Sequence, residues 1–356
     1  MKNILIIIQR SNGDVFFANT LIQALYSFYK SPNIDLLIND DTFNTGRLIE
    51  NIREIILFSY KEKRKKRWKQ EFSIIKKIRN KYDLSINLTA SDRSVIYALL
   101  SAKKTISAVE KSKKKSWWKK IFLSNFYFFD SSKHIVENNF NSLDILGIKT
   151  NLRVEEIHSS DSVLKQVQNK LSSLKINQFL IFHPSAQYDY KVYNRESRSS
   201  LLKKLSGLGL DIVVTGGFSE IDNRIKSEIP ELKNIHNLIG STSIEEFIAF
   251  SKLSLGFIGM DTLNLHIAAS QNKKVFAIYG PTNINMWSPW SNDLGSGARF
   301  VSSVQKYGKI CLFQADMPCV PCGKAGCNNN FIVSECLSLI DPNLVFSYIE
   351  EWYRNL

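Results

Sequence analysis

The stretch Gly259-Met-Asp-Thr-Leu-Asn-Leu-His-Ile-Ala-Ala-Ser270 lies between two short apolar segments, Leu253–Ile258 and Lys274–Tyr279. Short apolar runs bounded by turn residues are typical of buried strands, and the stretch between them has the length of a helix. The order strand, polar turn, helix, strand is one βαβ unit. We therefore expect a parallel sheet with helices on its faces.

Asp261 and Thr262 fall where this predicted helix begins. Free backbone N–H groups and the positive end of the helix dipole favour an anion there. The Thr262 hydroxyl can bond a phosphate oxygen, and His266 projects one turn further along the same face. Asp261 could instead be only an N-cap residue. The anion is expected at the carboxyl edge of the sheet, where open α/β folds bind ligands.

The same alternation of strands and helices runs through the chain from the first apolar run, Met1–Ile8. It predicts the α/β class, with two doubly wound Rossmann-like domains in series that face a cleft. The 356 residues are enough for two domains of ordinary size. We expect an N-terminal domain at 1–165, a second domain at 175–340, and a helix in 341–356 that packs back on the N-terminal domain.

The composition, 44% apolar and 22% charged, is that of a folded protein. No apolar stretch approaches the roughly 20 residues that span a bilayer. The first apolar run is followed directly by polar residues, without the small-residue cleavage site of a signal peptide. A cytoplasmic protein is therefore expected.

The net charge of +14 is concentrated in two runs of the first half, Lys61–Lys69 and Lys111–Lys120, both of which contain tryptophan. Such runs are often only solvated, but with aromatic residues they favour a polyanionic partner, either nucleic acid or an anionic membrane surface. Residues 113–129 begin with lysines and continue with many aromatic residues. This composition favours an interfacial helix on anionic lipid, with a core segment of the first domain as the alternative.

Four residues outside the stretch Gly259–Ser270 are candidates for catalysis or ligand binding. Asp14 follows the first strand and is either a general base that faces the cleft or a helix cap. Lys191, with Ser185 nearby in the chain, lies in the first turn of the second domain and can neutralise a diphosphate. Glu220, after Gly216-Gly217, can bond ribose hydroxyls. The chain lacks a Gly-x-Gly-x-x-Gly motif, a Walker loop and an Asp-x-Asp pair, which argues against a nicotinamide enzyme, a P-loop ATPase and a metal-anchored diphosphate.

The cysteines lie close to the C-terminus. Cys319-Val-Pro-Cys322 has the spacing of a zinc or iron knuckle, and Cys311 and Cys336 are available as further ligands. A second Cys-x-x-Cys pair is missing. A structural metal and packed free thiols therefore both remain open.

Several segments in this order resemble glycosyltransferase family 9, the ADP-heptose heptosyltransferases that build the lipopolysaccharide inner core. The resemblance runs nearly end to end and rests on Ile6–Asp14, Tyr82–Leu88, Lys191–Tyr193, Gly216-Gly217, Asp261-Thr262 with His266, Phe276–Thr282 and the terminal cysteines. It implies the GT-B fold, with the acceptor on the first Rossmann-like domain and a nucleotide sugar on the second. It also implies an inverting, metal-independent reaction with no cofactor.

By position, the resemblance makes Asp14 the catalytic base and Lys191 the phosphate-binding lysine. It makes Asp261, Thr262 and His266 donor-binding residues, and we add Ser185 and Glu220 to them. The expected reaction moves heptose from ADP-L-glycero-D-manno-heptose to the inner core of lipopolysaccharide or lipooligosaccharide. Leu263 stands where the family commonly has glycine, which leaves a different nucleotide sugar open.

The expected acceptor is an anionic lipid-linked saccharide at the surface of the inner membrane, where the enzyme would be peripheral. Its phosphates and carboxylates are expected to contact side chains of the two basic runs, namely Lys61, Lys63, Arg64, Lys113, Lys114 and Lys119. Protein O-heptosylation, as in relatives that modify autotransporters, is the second enzymatic hypothesis. A nucleic-acid binder is the third, and it explains neither Asp14 nor Asp261-Thr262; we expect no nucleic-acid partner.

Overall fold

The computed structural model describes the backbone of residues 1–356 and all side chains except those of 64–67, 113 and 115. The chain divides into two compact units, Met1–Glu155 and Glu156–Leu356. The expected boundary at 165 falls inside a helix, Asp161–Ser173, which packs on the helix Ile244–Leu253 of the second unit. The polar residues before 175 are therefore part of the second unit.

The first unit is a parallel sheet of six strands. Its strands are β1 (Asn3–Ile8), β2 (Asn33–Asn39), β3 (Ile52–Phe58), β4 (Tyr82–Asn87), β5 (Ala102–Val109) and β6 (Asn125–Phe128). Its helices are α1 (Asn12–Phe17), α2 (Asn19–Phe28), α3 (Phe43–Gly46), α4 (Tyr60–Ile78), α5 (Asp92–Ser101), α6 (Lys113–Phe122) and α7 (Ile135–Ile145).

The strand order of this sheet is β3-β2-β1-β4-β5-β6, with every pair parallel. This is the Rossmann order, which reverses between β1 and β4. Residues Ile4–Ile8 of β1 are fully buried, because helices cover both faces of a parallel sheet. The segment 113–129, expected as one interfacial helix or as core, instead forms α6 and the edge strand β6.

The second unit repeats this plan. Its strands are β7 (Phe179–His183), β8 (Asp211–Val214), β9 (Ile235–Asn237), β10 (Gly256–Met260), β11 (Lys274–Tyr279), β12 (Val304–Tyr307) and β13 (Ile310–Gln314). Its helices are α8 (Asp161–Ser173), α9 (Arg195–Ser206), α10 (Glu220–Glu228), α11 (Ile244–Leu253), α12 (Leu263–Ser270), α13 (Ile284–Trp287), α14 (Glu335–Ser338) and α15 (Pro342–Arg354).

The strand order of the second sheet is β12-β13-β11-β10-β7-β8-β9, and all pairs are parallel except β12 with β13. The order reverses between β7 and β10, as it does between β1 and β4 in the first unit. The predicted α/β class with two Rossmann-like sheets is confirmed.

The terminal helix α15 packs in the second unit. Val345 and Ile349 are fully buried in that unit's core, and Trp352 contacts the ring of Phe276 in β11. The expectation that this helix packs back on the N-terminal domain is therefore wrong for its buried face.

Among the described residues, no helix is both long enough and apolar enough to cross a bilayer.

Candidate functional site

The carboxyl ends of β7 and β10 lie side by side where the strand order of the second unit reverses. Sheets of this topology bind ligands at that edge. Gly259 in β10 runs so close to β7 that an added Cβ would lie 2.7 Å from the carbonyl oxygen of His183, which only glycine avoids. The chain then passes through Asp261 to Thr262, the extended N-cap residue of α12. The stretch Gly259–Ser270 thus has the predicted strand-turn-helix form.

Asp261 joins the start of α12 to Lys191, which ends a 3₁₀ turn at Asp189–Lys191. The Asp261 carboxylate accepts from Lys191 Nζ at 2.6 Å and from Thr282 Oγ1 at 2.7 Å. Burial alone would raise the pKa of Asp261, but Lys191 and Thr282 lower it. Burial alone would lower the pKa of Lys191, and Asp261 raises it. Lys191 is therefore held in its charged form at the N-terminus of α12, and its ammonium group has N–H donors beyond the one that bonds Asp261.

Thr262 and His266 complete this cluster. Thr262 Oγ1 makes no capping bond, is buried, and has no hydrogen-bond partner among the described residues. Because an unsatisfied buried hydroxyl is unfavourable, we expect a ligand to supply the partner. Burial lowers the pKa of His266 to about 4, although Asp261 acts in the opposite direction. The imidazole is therefore neutral at pH 7 and offers a hydrogen bond without charge.

The turn after β8 is organised by Asp222, a residue that the sequence interpretation missed. Its carboxylate accepts from Gly217 N at 2.8 Å, from Ser219 N at 2.9 Å, and from the Ser185 hydroxyl. Gly216 must lack a side chain, because a Cβ there would lie 2.9 Å from Asp222 Oδ1. Glu220, the predicted ribose ligand, is exposed at the first position of α10.

The signal for Asp222 was its position three residues after Ser219, since Ser-x-x-Asp is the spacing of a capping box. Ser185 is buried and already bonded to Asp222, so the structure gives it a role in shaping this turn. Its role in donor binding, like that of Glu220, stays a prediction.

We expect Asp222→Asn to lower the free energy of unfolding by roughly 1–3 kcal/mol at pH 7, because an amide cannot accept all of these bonds and leaves a buried N–H unpaired. Burial raises the pKa of Asp222, but Ser185, Ser219 and Gly217 lower it overall, below the usual 3.8. A lowered pKa stabilises the fold above 3.8 and loses that effect as the pH falls through the folded-state value. Urea unfolding should therefore show a difference between the two proteins that narrows at acid pH; a constant difference contradicts this.

Asp14 lies at the carboxyl end of β1, beside the reversal point of the first sheet. It is the third residue of α1 and forms a capping box, accepting from Ser11 N at 3.1 Å and from Ser11 Oγ at 2.7 Å. Its other oxygen accepts from Arg10 Nε at 2.9 Å, and the side chain is 5% exposed. Asp14 therefore stabilises the start of α1, while its action as a base stays a prediction.

The two basic runs form much of α4 and α6. Lys61 and Lys114 are exposed, and Lys63 is half-buried with its Nζ 5.8 Å from the centre of the Tyr60 ring. These three lysines remain candidates for contact with an anionic acceptor. Two further candidates, the side chains of Arg64 and Lys113, lie outside the described residues.

Lys119, also predicted to contact the acceptor, is fully buried. Its Nζ donates to Ala90 O and to Glu110 Oε2, each at 2.7 Å, and lies 2.9 Å from Asp92 Oδ1. All three donors of the ammonium group are thus used inside the first unit. The prediction for Lys119 is wrong, because its position in a lysine run concealed that this face of α6 points inward.

The cysteines do not behave alike. Cys311 in β13 is buried in the core of the second unit, and burial raises its pKa to about 12. Cys319 and Cys322 are exposed. Cys336 is buried, and burial, with a smaller effect of the neighbouring cysteines, raises its pKa to about 11. Among the described residues, no group of three or more Cys, His, Asp or Glu is placed to hold a metal ion. Cys311 is a packed thiol.

Comparisons with known proteins agree with this architecture. The family described as "Glycosyltransferase family 9 (heptosyltransferase)" matches residues 71–310. Lipopolysaccharide heptosyltransferase 3 of Escherichia coli (strain K12) is 29% identical over 296 residues, covering 80% of this chain and 84% of that protein.

Two solved structures share the fold over nearly the whole chain. The structure of E. coli ADP-heptose lps heptosyltransferase II has a TM-score of 0.71 at 17% identity, covering 99% of this chain and 98% of the other. The structure of E. coli heptosyltransferase WaaC with ADP-2-deoxy-2-fluoro heptose has a TM-score of 0.69 at 15% identity, covering 98% and 99%. Because the family match spans more than half of the chain, this protein belongs to glycosyltransferase family 9 and is a glycosyltransferase with the GT-B fold.

Proposed function

We propose that this enzyme moves heptose from ADP-L-glycero-D-manno-heptose to the inner core of lipopolysaccharide or lipooligosaccharide, with inversion at the anomeric carbon. The observation that carries the proposal is the cluster of Lys191, Asp261 and the unpartnered Thr262 hydroxyl at the N-terminus of α12. A departing diphosphate has the negative charge and oxygen acceptors that such a cluster binds. The names of the relatives support heptose as the sugar and lipopolysaccharide as the acceptor.

In the proposed mechanism, the Asp14 carboxylate takes the proton of the acceptor hydroxyl. The oxygen attacks the anomeric carbon from the face opposite the diphosphate, so the product has the inverted configuration. The Lys191 ammonium group and the N–H groups of α12 take up the charge that develops on ADP. Thr262 donates a hydrogen bond to the same phosphate group, and neutral His266 adds a second. No step of this mechanism involves a metal ion.

Leu263 affects which nucleotide sugar can bind as the donor. Leu263 is the half-buried first residue of α12, where the family commonly has glycine. Its side chain limits how closely a phosphate approaches the helix N-terminus. A transferase for another nucleotide sugar is therefore the alternative that the experiment has to distinguish.

The proposal is tested by incubating the purified protein with ADP-heptose and lipopolysaccharides truncated at successive core positions. Mass spectrometry should show one added heptose on one of these acceptors. No sugar should be added when ADP-heptose is replaced by UDP-hexoses. Addition of a hexose from a UDP-sugar, with no addition from ADP-heptose, would overturn the donor assignment and leave the glycosyltransferase class intact.

We also propose that the enzyme meets its lipid-linked acceptor at an anionic membrane surface. On α4, the side chains of Trp68 and Phe72 are each 72% exposed; on α6, Trp117 is 60% and Ile121 66% exposed. Both helices are rich in lysine. Exposed aromatic residues among cations are the composition of a surface that inserts between anionic headgroups.

We expect the double variant Lys114→Glu/Trp117→Ala to partition several-fold more weakly onto vesicles of phosphatidylglycerol, because it replaces a cation with an anion and loses a large inserted side chain. Co-sedimentation measures the effect. Phe300→Ala is the matched control, since Phe300 is 65% exposed in the second unit, away from both basic helices in the chain. Equal partitioning of the double variant and wild type would refute membrane contact through α6.

A further inference from the structure

The first unit contains an open cavity of about 450 Å³ whose residues have no part in the bond-forming step of the proposed reaction. It is lined by Asp92, Glu110, Lys114 and Trp118. Asp92 is the first residue of α5, after β4, and Glu110 directly follows β5. The cavity therefore opens at the carboxyl edge of the sheet, the same edge at which Asp14 follows β1. Its volume is within the range of small-molecule sites, about 300–1,000 Å³.

The buried Lys119 holds two carboxylates at the wall of this cavity. Its ammonium group lies 2.7 Å from Glu110 Oε2 and 2.9 Å from Asp92 Oδ1, and it also donates to the Ala90 carbonyl. A fully buried cation is retained only with such partners. The pairing fixes the loops after β4 and β5 relative to α6. The positions of the charged groups at the cavity wall are thus fixed by the fold.

The Glu110 carboxylate accepts from its own backbone N–H and from two side chains, which leaves part of its acceptor capacity for a ligand. Lys119 and the Ser116 hydroxyl, at 3.0 Å, both donate to Oε2, and Oε1 accepts from none of the described side chains. Burial alone would raise the pKa of Glu110, but Lys119 and Ser116 lower it, so the group is an ionised acceptor. Asp92 is likewise engaged through Oδ1, and its side chain is 68% exposed. Two carboxylates can therefore accept hydrogen bonds from hydroxyl groups.

Trp118 supplies an apolar surface beside these acceptors. It is half-buried and packs on the cluster of Val95, Val109 and Leu123, which fixes its position. Among the described side chains, the formal charges of Asp92 and Glu110 are balanced by those of Lys114, which also lines the cavity, and Lys119, which pairs with both carboxylates. A neutral ligand with hydroxyl groups and a flat apolar face fits this lining better than a phosphate does.

We propose that this cavity binds a neutral sugar ring of the acceptor saccharide, next to the ring that is glycosylated. The inference rests on the proposed function for the identity of the saccharide. In the sheet, β4 lies between β1 and β5. At about 4.8 Å per strand, the end of β5 is therefore about 10 Å from the end of β1. The cavity would thereby select acceptors that already carry a sugar at this distance from the reacting hydroxyl.

The test measures binding of a dephosphorylated, lipid-free core oligosaccharide to the full-length protein by isothermal titration calorimetry. We expect Trp118→Ala and Glu110→Gln each to raise the Kd at least about tenfold. Trp117→Ala is the matched control, because Trp117 is the neighbouring residue of α6, is 60% exposed and does not line the cavity. Asp92→Asn tests the second carboxylate, and because Asp92 also pairs with the buried Lys119, thermal unfolding is measured beside the Kd.

Equal Kd values for Trp118→Ala and wild type, with unchanged thermal unfolding, would overturn the inference. Binding that requires the phosphorylated oligosaccharide would overturn it too, because it would indicate an anion site. The two proposals fail separately. Heptose transfer with a Kd and an acceptor KM that are insensitive to Trp118→Ala and Glu110→Gln would refute the cavity alone. Saccharide binding that depends on Trp118, without heptose transfer to any acceptor, would refute the donor assignment alone.

Discussion

The Asp14→Asn variant should transfer heptose roughly 10²–10⁴ times more slowly than wild type while binding ADP-heptose with the same Kd, because loss of a general base affects the proton transfer alone. The amide keeps an oxygen that can still accept from Ser11, so the start of α1 should persist. Initial rates of ADP release with a lipopolysaccharide acceptor measure the loss. Calorimetry with ADP-heptose measures the retained binding.

Ser11→Ala is the control for this prediction. It removes the 2.7 Å bond from the Ser11 hydroxyl to Asp14 and leaves the carboxylate and its contact with Arg10 in place. It should lower the free energy of unfolding by about 1 kcal/mol, as loss of a helix cap does, and retain most of the transfer rate. If Asp14→Asn turns over at nearly the wild-type rate, Asp14 is only part of the capping box.

The Lys191→Met variant should lose a factor of about 10²–10³ in kcat, the usual effect of removing one group that stabilises developing negative charge. It should also unfold more easily, because it leaves the largely buried Asp261 carboxylate without its cation. Breaking a buried ion pair on one side typically destabilises by about 3–5 kcal/mol. Steady-state kinetics and urea unfolding measure the two effects.

The double variant Lys191→Met/Asp261→Asn separates these effects. It removes both charges, and the amide oxygen that replaces the carboxylate can still accept a hydrogen bond from Thr282. We expect most of the stability to return while kcat stays low, since the ammonium group proposed to bind the diphosphate is still absent. Recovery of activity together with stability would show that Lys191 acts only as the structural partner of Asp261.

The sheets and the α12 site could be predicted because their signals are local. A parallel strand buried on both faces is a continuous apolar run, as in Ile4–Ile8, and a polar turn marks its carboxyl end. The segment from Gly259 to Ser270 carries its strand, turn and helix within a few residues. Lys191 and Asp261, 70 positions apart, were both predicted to bind the donor, and they meet because both lie after strands at one sheet edge; their ion pair itself was not predicted.

What could not be predicted depends on contacts between distant residues. Lys119 resembles its neighbours in the lysine run, and only the packing of α6 against the loops after β4 and β5 buries it. Glu220 and Asp222 are equivalent in chemistry, and the fold of the Gly216-Gly217 turn selects Asp222. The terminal helix α15 has a clear apolar face, but such a face does not specify which domain covers it.

The central claim is that Asp14 and the Lys191 cluster serve one inverting transfer from ADP-heptose. The most direct test combines the purified enzyme, ADP-heptose and its truncated lipopolysaccharide acceptor, and determines the anomeric configuration of the new linkage by NMR while following ADP release. The account predicts ADP release that requires the acceptor and a linkage opposite in configuration to the donor. A linkage with the donor's own configuration, or no ADP release with any acceptor, would contradict it.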